Sequence, residues 1–226
     1  MTDTSTASHA SDEFASALLA WYDTHGRKDL PWQQSRTAYR VWLSEVMLQQ
    51  TQVRVVIDYF NRFVAELPTL PDLAAASEDR VLALWSGLGY YSRARNLHRT
   101  ANVSVDQHGG DLPRDVDALR ELPGIGRSTA AAILAQSFGD RHAILDGNVR
   151  RVLARWHGVR GWPGTTANQR LLWTYAESHT PHERVADYTQ AIMDLGATLC
   201  TPRRPQCERC PVAEHCTARR EGITAL

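Results

Sequence analysis

Lysine is nearly absent: Lys28 is the only one in 226 residues, against 24 arginines. The bland source of that skew is a G+C-rich genome, but it leaves one candidate for any chemistry that needs a side-chain amine. Net charge is absent too, with 25 basic and 25 acidic residues. A globally basic wrapper of nucleic acid is therefore excluded, and any nucleic-acid contact must be a local patch. No run approaches the ~20 apolar residues of a membrane span. Met1 to Glu13 is rich in Ser, Thr, Ala and Asp without Lys or Arg, so it lacks the basic and apolar regions of a signal peptide. Residues 1–12 read as a disordered tail. Together these absences predict a cytoplasmic protein, nucleoid-associated if bacterial, with no membrane partner. Cysteine is missing until residue 200, and all four then fall between 200 and 216. In a reducing compartment that cluster suggests a metal site more than disulfides.

Alternating runs long enough for a strand are also missing, whereas helical periodicity is everywhere. Phe14, Ala17, Leu18 and Trp21 form an i, i+3, i+4, i+7 stripe. Ala38 to Leu67 reads as two helices broken near Gln50 and Thr51. Further helices are predicted over Glu78–Leu88, Arg93–His108, Val116–Leu122, Arg127–Phe138, Asn148–His157, Ala167–Ser178 and Val185–Leu199. Between them lie breakers: Leu67-Pro68, Gly87 to Gly89, Gly109-Gly110, Pro123 to Gly126, Gly161 to Gly164 and Pro181. The fold class is all-α. With 43% hydrophobic residues the chain can bury one large or two small cores.

Three features carry chemistry. The first is Leu122-Pro123-Gly124-Ile125-Gly126. Proline stops one helix, the glycines permit positive φ and close backbone approach, and the next helix begins near Arg127 with outward N–H groups. That is a phosphate cradle assisted by the helix dipole, although a lone G-x-G is more often an ordinary tight turn. The second is Cys200, Cys207, Cys210 and Cys216, a C-x6-C-x2-C-x5-C array. Zinc ribbons usually pair two C-x2-C units and only one is present, so the spacing favours a [4Fe–4S] cluster over zinc. Arg203 and Arg204 fall inside the first loop. The segment to Arg220 holds five Arg and two Glu, a basic patch that reads either as a solvated face or as a DNA backbone contact. The third is a pair of acids. Glu45 has Val41, Trp42, Leu48 and Gln49 as its helical neighbours; burial there would raise its pKa and suit a general acid, while the plain alternative is a surface or Arg-paired Glu. Asp146 reads first as the N-cap of the next helix, which is compatible with a carboxylate facing a pocket.

Several ordered motifs resemble one family. Trp42-Leu43-Ser44-Glu45-Val46-Met47-Leu48-Gln49-Gln50-Thr51-Gln52-Val53, Gly87-Leu88-Gly89-Tyr90-Tyr91 with Arg93 to Leu97, Leu122 to Ala130, Ile144 to Val149 and the Cys array resemble the MutY family of adenine DNA glycosylases. The resemblance runs from about Phe14 to Ala218. It implies the endonuclease III-like helix-hairpin-helix superfamily, with two lobes: a six-helix barrel over 30–140, and an iron–sulfur lobe of 13–29 plus 141–226. The implied substrate is double-stranded DNA with adenine opposite 8-oxoguanine or guanine, met by a monomer that flips the adenine out. Base extrusion costs a few kcal/mol, least at a mismatch. The resemblance assigns Glu45 to protonate adenine N7, Asp146 to stabilise or trap the sugar cation, and Asn148 to orient water or Asp146. Gln50 and Tyr90 are implied as wedges in the duplex, Gly124 and Gly126 as the DNA-binding hairpin, and Trp32, Leu48, Val53 and Gln190 as the lining of the adenine pocket. The plainer reading of Trp32, Leu48 and Val53 is core.

Two departures are visible. The resemblance implies a C-terminal domain that recognises 8-oxoguanine, and residues to Leu226 are expected to lack it. Ser128 stands where superfamily members with strong lyase activity place Lys, in agreement with a base-only hydrolase. Two rival readings are a thymine or uracil mismatch glycosylase of the same superfamily, and a non-catalytic DNA-binding Fe–S protein. Glu45 argues against the first, because protonation at N7 is a purine device. The second makes the pairing of Glu45 with Asp146 an accident.

Overall fold

A computed structural model describes residues 4–224. Among them all regular structure is helical, as the periodicity predicts. The chain divides into two compact units, one of Met1–Arg27 with Gly139–Leu226, the other the continuous segment Lys28–Phe138.

The continuous unit holds α2 (Pro31–Gln34), α3 (Ala38–Leu48), α4 (Val53–Glu66), α5 (Leu70–Ala75), α6 (Glu78–Trp85), α7 (Ser92–Gln107), α8 (Val116–Glu121) and α9 (Arg127–Phe138). Polar residues at the breaks start these helices by capping orphan N–H groups. Thr37 accepts from Arg40 N, Ser77 from Arg80 N, and Asp115 from Asp117 N and Ala118 N. Thr69 and Asp72 form a reciprocal capping box on α5. The apolar stripes then meet in one core. α3 packs along α9, α7 covers α5 and α6, and Trp42, Trp85, Phe60 and Phe63 are fully buried. Trp32 stands edge-on to Phe60 at 5.4 Å. The middle of α9 is buried all round: its seven residues from Ala130 to Gln136 are inaccessible, and Gln136 is the single side chain among them with a hydrogen-bonding group. The short helices α2 and α5 are not among the helices predicted from the sequence.

The discontinuous unit is built from α1 (Thr4–His25), α10 (Gly147–His157), α11 (Thr166–His179), α12 (Val185–Thr198), a 3-10 turn at Cys207–Arg209 and α13 (Thr217–Arg220). α1 packs on α11 and α12, and α10 on α11, α12 and α13. Of the expected tail over 1–12, residues 1–3 lie outside the described residues, and from Thr4 the backbone belongs to α1. Among the described side chains, Phe14, Leu18 and Tyr22 anchor that helix. Asp194, fully buried on α12, is held by the Arg27 backbone N–H at 2.8 Å, the Arg27 guanidinium at 2.6 Å and Gln190 at 2.7 Å. This satisfies the charge and pins the end of the N-terminal segment to α12. No helix among the described residues is long and apolar enough to cross a membrane.

Candidate functional site

Glu45 lies on α3 on the side that meets α9 and is half-buried. Gln136 Nε2 stands 3.5 Å from Glu45 Oε1, and Gln136 Oε1 accepts from Gln33 Nε2 at 3.0 Å. Of the expected pocket residues in this unit, Trp32 is buried in the core, and Leu48 and Val53 are half-buried against it. Their plain packing role is therefore present whatever else they do.

α3 ends at Leu48, and the chain turns through Gln49, Gln50 and Thr51 before α4. Gln50 has φ 59° and Tyr90 φ 48°, a left-handed backbone that ordinary side chains rarely adopt. Both side chains are exposed, Tyr90 by 59% despite its aromatic ring. One buried residue explains how the two turns persist. The Arg93 guanidinium donates to the carbonyls of Val46, Met47 and Gln49 at 2.6–2.9 Å, which are orphaned at the end of α3. It also reaches Gly89 O at 3.2 Å, and stacks at 5.4 Å over the Tyr90 ring. Sequence reasoning missed this role, because nothing local separates a buried arginine from its 23 neighbours in kind.

In the hairpin, Leu122 and Ile125 are buried anchors, and Thr100 donates to Pro123 O at 2.9 Å. Only Gly124 uses positive φ, at 81°, and a Cβ there would meet the Asn96 side chain at 3.0 Å. Gly126 does not, which corrects the expectation that both glycines serve the turn. Its place is exposed, with nothing within 4 Å of an added Cβ, so the feature it keeps is open access to the start of α9. Ser128 falls in the first turn of that helix, half-buried.

In the discontinuous unit, Asp146 caps α10: its Oδ1 accepts from Val149 N at 2.8 Å, and Asn148 Nδ2 stands 3.4 Å from its Oδ2. Dense surroundings push the carboxyl above the ordinary aspartate value. The Val149 and Asn148 N–H groups, the Arg151 charge and the Asn148 side chain all work against that rise. Arg151 donates to Asn148 Oδ1 at 2.8 Å, Gly196 O at 2.6 Å and Cys200 O at 2.7 Å. An added Cβ at Gly196 would meet Asn148 Cβ at 2.6 Å, so only glycine lets α12 lie this close to α10. Gln190, expected at the adenine, is 3% exposed and donates to Asp194.

All four cysteines are half-buried thiols around one cavity walled by Val152, Leu195, Leu199 and Val212. Among the described residues no three His, Cys, Asp or Glu side chains are grouped to hold a single metal ion. A ring of four thiols around a shared apolar space fits a cluster, whose irons each take one cysteine, better than a lone tetrahedral zinc. Burial pushes the Cys210 thiol up to about 11 and raises that of Cys216. The compensating positive charge would come from bound iron. Arg155, 2% exposed, donates to Thr201 O at 2.8 Å, Pro202 O at 3.0 Å and Cys200 Sγ at 3.4 Å. Arg151 and Arg155 are one helical turn apart on α10, and together they hold the start of the loop. Arg203 and Arg204, between Cys200 and Cys207, are exposed.

Comparison with known proteins agrees with these features. Residues 43–178 match the family described as HhH-GPD superfamily base excision DNA repair protein, and residues 200–216 match the iron–sulfur binding domain of endonuclease III. The cofactor is thus a [4Fe–4S] cluster, and Cys200, Cys207, Cys210 and Cys216 fit a loop that binds it. Adenine DNA glycosylases of Buchnera aphidicola (subsp. Schizaphis graminum) and Homo sapiens are 42% and 46% identical over 92% and 91% of this chain. The chain spans 60% of the first and 39% of the second. It spans 70% of the adenine DNA glycosylase of Mycolicibacterium smegmatis, at 40% identity over 92% of its own length. Among solved structures, a thermostable thymine-DNA glycosylase superposes with TM-score 0.86 at 28% identity, covering 97% of this chain and all of that one. An endonuclease III in complex with DNA gives 0.76 at 22%, covering 99% of each, which supports the fold alone. Helical units, hairpin, capped acid and cysteine loop thus converge: the chain belongs to the HhH-GPD superfamily of base excision repair proteins and, within it, to the adenine DNA glycosylase family.

Proposed function

We propose that the chain is a monofunctional DNA glycosylase that hydrolyses the N-glycosidic bond of adenine opposite 8-oxoguanine or guanine in double-stranded DNA. The observation that carries the proposal is Asp146. It is a helix N-cap, yet its second oxygen is engaged by an amide, Asn148, which a purely structural cap does not require. Desolvation makes its negative charge costly, and a cation appearing at the deoxyribose relieves that cost. Asp146 thus stabilises the sugar as the bond breaks, and Asn148 orients Asp146 or the attacking water. Glu45 protonates N7 and turns adenine into a better leaving group. Gln50 and Tyr90, on turns locked by Arg93, fill the space vacated by the flipped base. Backbone N–H groups at the start of α9, reached past Gly126, bind phosphate, and Arg203 and Arg204 bind it from the cysteine loop. When bound, the cluster supplies a fixed loop geometry, held by its four cysteines.

Base release tests this. On A:8-oxoG, A:G, T:G and U:G duplexes, the wild-type chain releases adenine and neither pyrimidine. Glu45→Gln keeps mismatch affinity and loses release by about two to four orders of magnitude, the usual worth of a general acid. Thymine release from T:G, in keeping with the thymine-DNA glycosylase of similar fold, would replace this reading with that of a mismatch pyrimidine glycosylase.

A further inference from the structure

The single amide in the seven-residue buried run of α9 needs an explanation, because a buried amide is tolerated only when its hydrogen bonds are made. Gln136 is 4% exposed and has Glu45 on one side and Gln33 on the other. Gln33 in turn accepts from Arg36 Nε at 2.8 Å. The oxygen and nitrogen of an amide can be interchanged without changing its shape, so the sense of such a chain has to be deduced. Here one end decides it. A guanidinium only donates, so Gln33 turns its oxygen to Arg36 and its NH2 to Gln136. Gln136 then turns its oxygen to Gln33 and its NH2 to Glu45. The donors all run one way, from a positive charge through two amides to one carboxyl oxygen.

A donor aimed at Oε1 has two effects. It favours the ionised carboxyl over the neutral one, and it makes Oε1 the poorer place for a proton. We propose that Gln136, polarised by Arg36 through Gln33, is the positioning residue of Glu45. It fixes the plane of the carboxyl and lowers the proton affinity of the group so that the proton leaves more readily. This deepens the functional reading above and rests on it for the role of Glu45, but the hydrogen-bond chain itself can be tested without turnover.

The test uses the full chain with its cluster, labelled with 13C at the glutamate side-chain carboxyls. The Glu45 resonance is identified by its loss in Glu45→Gln. In Gln136→Met, which keeps the length and removes the amide, the Glu45 titration midpoint rises by roughly half a pH unit, the scale of one lost hydrogen bond to a carboxylate. Gln33→Met and Arg36→Met, two and three links away, shift it the same way by less. The alkaline limb of single-turnover adenine release moves up with it, while mismatch affinity stays as in the wild type. A merely structural Gln136 would lower the melting temperature and scale the rate equally at every pH, leaving both midpoint and limb in place. An unmoved midpoint in Gln136→Met overturns the proposal. If that variant does not fold, an unmoved midpoint in both Gln33→Met and Arg36→Met does so instead. If the midpoint moves but Glu45→Gln still releases adenine, the hydrogen-bond chain stands and the acid role of Glu45 falls.

Discussion

In the proposed mechanism Asp146 and Glu45 ask opposite things of pH, and so the residues make a bell-shaped prediction. Asp146 must be ionised to stabilise a cation, and burial raises its pKa against the pull of Val149 N–H, Asn148 and Arg151. A group raised in this way takes up its proton early as pH falls. The acid limb of single-turnover release therefore lies above the ordinary aspartate value of ~3.9. Asn148→Ala removes one opposing donor and moves that limb further up. A wild-type limb at or below the ordinary value would mean that Asp146 is not the group whose charge matters. The near-absence of lysine makes a second prediction at this scale. β-Elimination by a glycosylase needs an amine to form a Schiff base with the ring-opened sugar. The hairpin offers Ser128, and the chain offers one exposed lysine, Lys28. Borohydride consequently traps little protein on DNA while adenine is released, and strands break only after hot alkali. Efficient trapping that vanishes in Lys28→Ala would assign lyase chemistry to that side chain.

Among the elements, the cysteine loop carries an excess of positive charge although the whole chain has no net charge. Arg203 and Arg204 are exposed, whereas Arg219 is partnered by Glu208 at 3.1 Å. Replacing both exposed arginines with Ala is expected to weaken matched and mismatched duplexes alike and to flatten the salt slope of binding by up to about two units, one per lost phosphate contact. An unchanged slope would place the loop off the backbone. Elements were also the level at which the sequence was most legible. The helix breaks at Gln50, at Gly87 to Gly89 and at Pro123 to Gly126 were readable because proline and glycine act through local backbone geometry. So was the Asp146 cap, because a short polar side chain before an apolar run has a local job. Four cysteines within seventeen residues spoke for themselves. Arg93, Gln136, Arg151 and Arg155 were not legible. Each takes its role from carbonyls, thiols, amides or a carboxyl that are distant in sequence, up to 103 residues away for Gln136 and Gln33, and no local pattern marks them. Gly126 was legible in identity but not in use, since φ is set by the turn as closed and not by the residue alone.

At the scale of the molecule, the arginines divide between two kinds of work. Arg27, Arg93, Arg151 and Arg155 are spent inside, satisfying Asp194, helix-end carbonyls and the cysteine loop. Others, Arg203 and Arg204 among them, face outward. That division is how a chain of zero net charge can still be proposed to bind a polyanion. The order of segments carries a further implication. One unit is the continuous stretch Lys28–Phe138, while the other is made of Met1–Arg27 and Gly139–Leu226. On a ribosome the inner stretch has all its partners as soon as it has emerged. The first helix must wait, with Phe14, Leu18 and Tyr22 uncovered, until α11 and α12 have been made. The cysteines come later still. Biogenesis is therefore vectorial: the hairpin-bearing unit matures first, α1 is the segment most in need of a chaperone in the interval, and iron–sulfur loading waits until Cys216 has emerged.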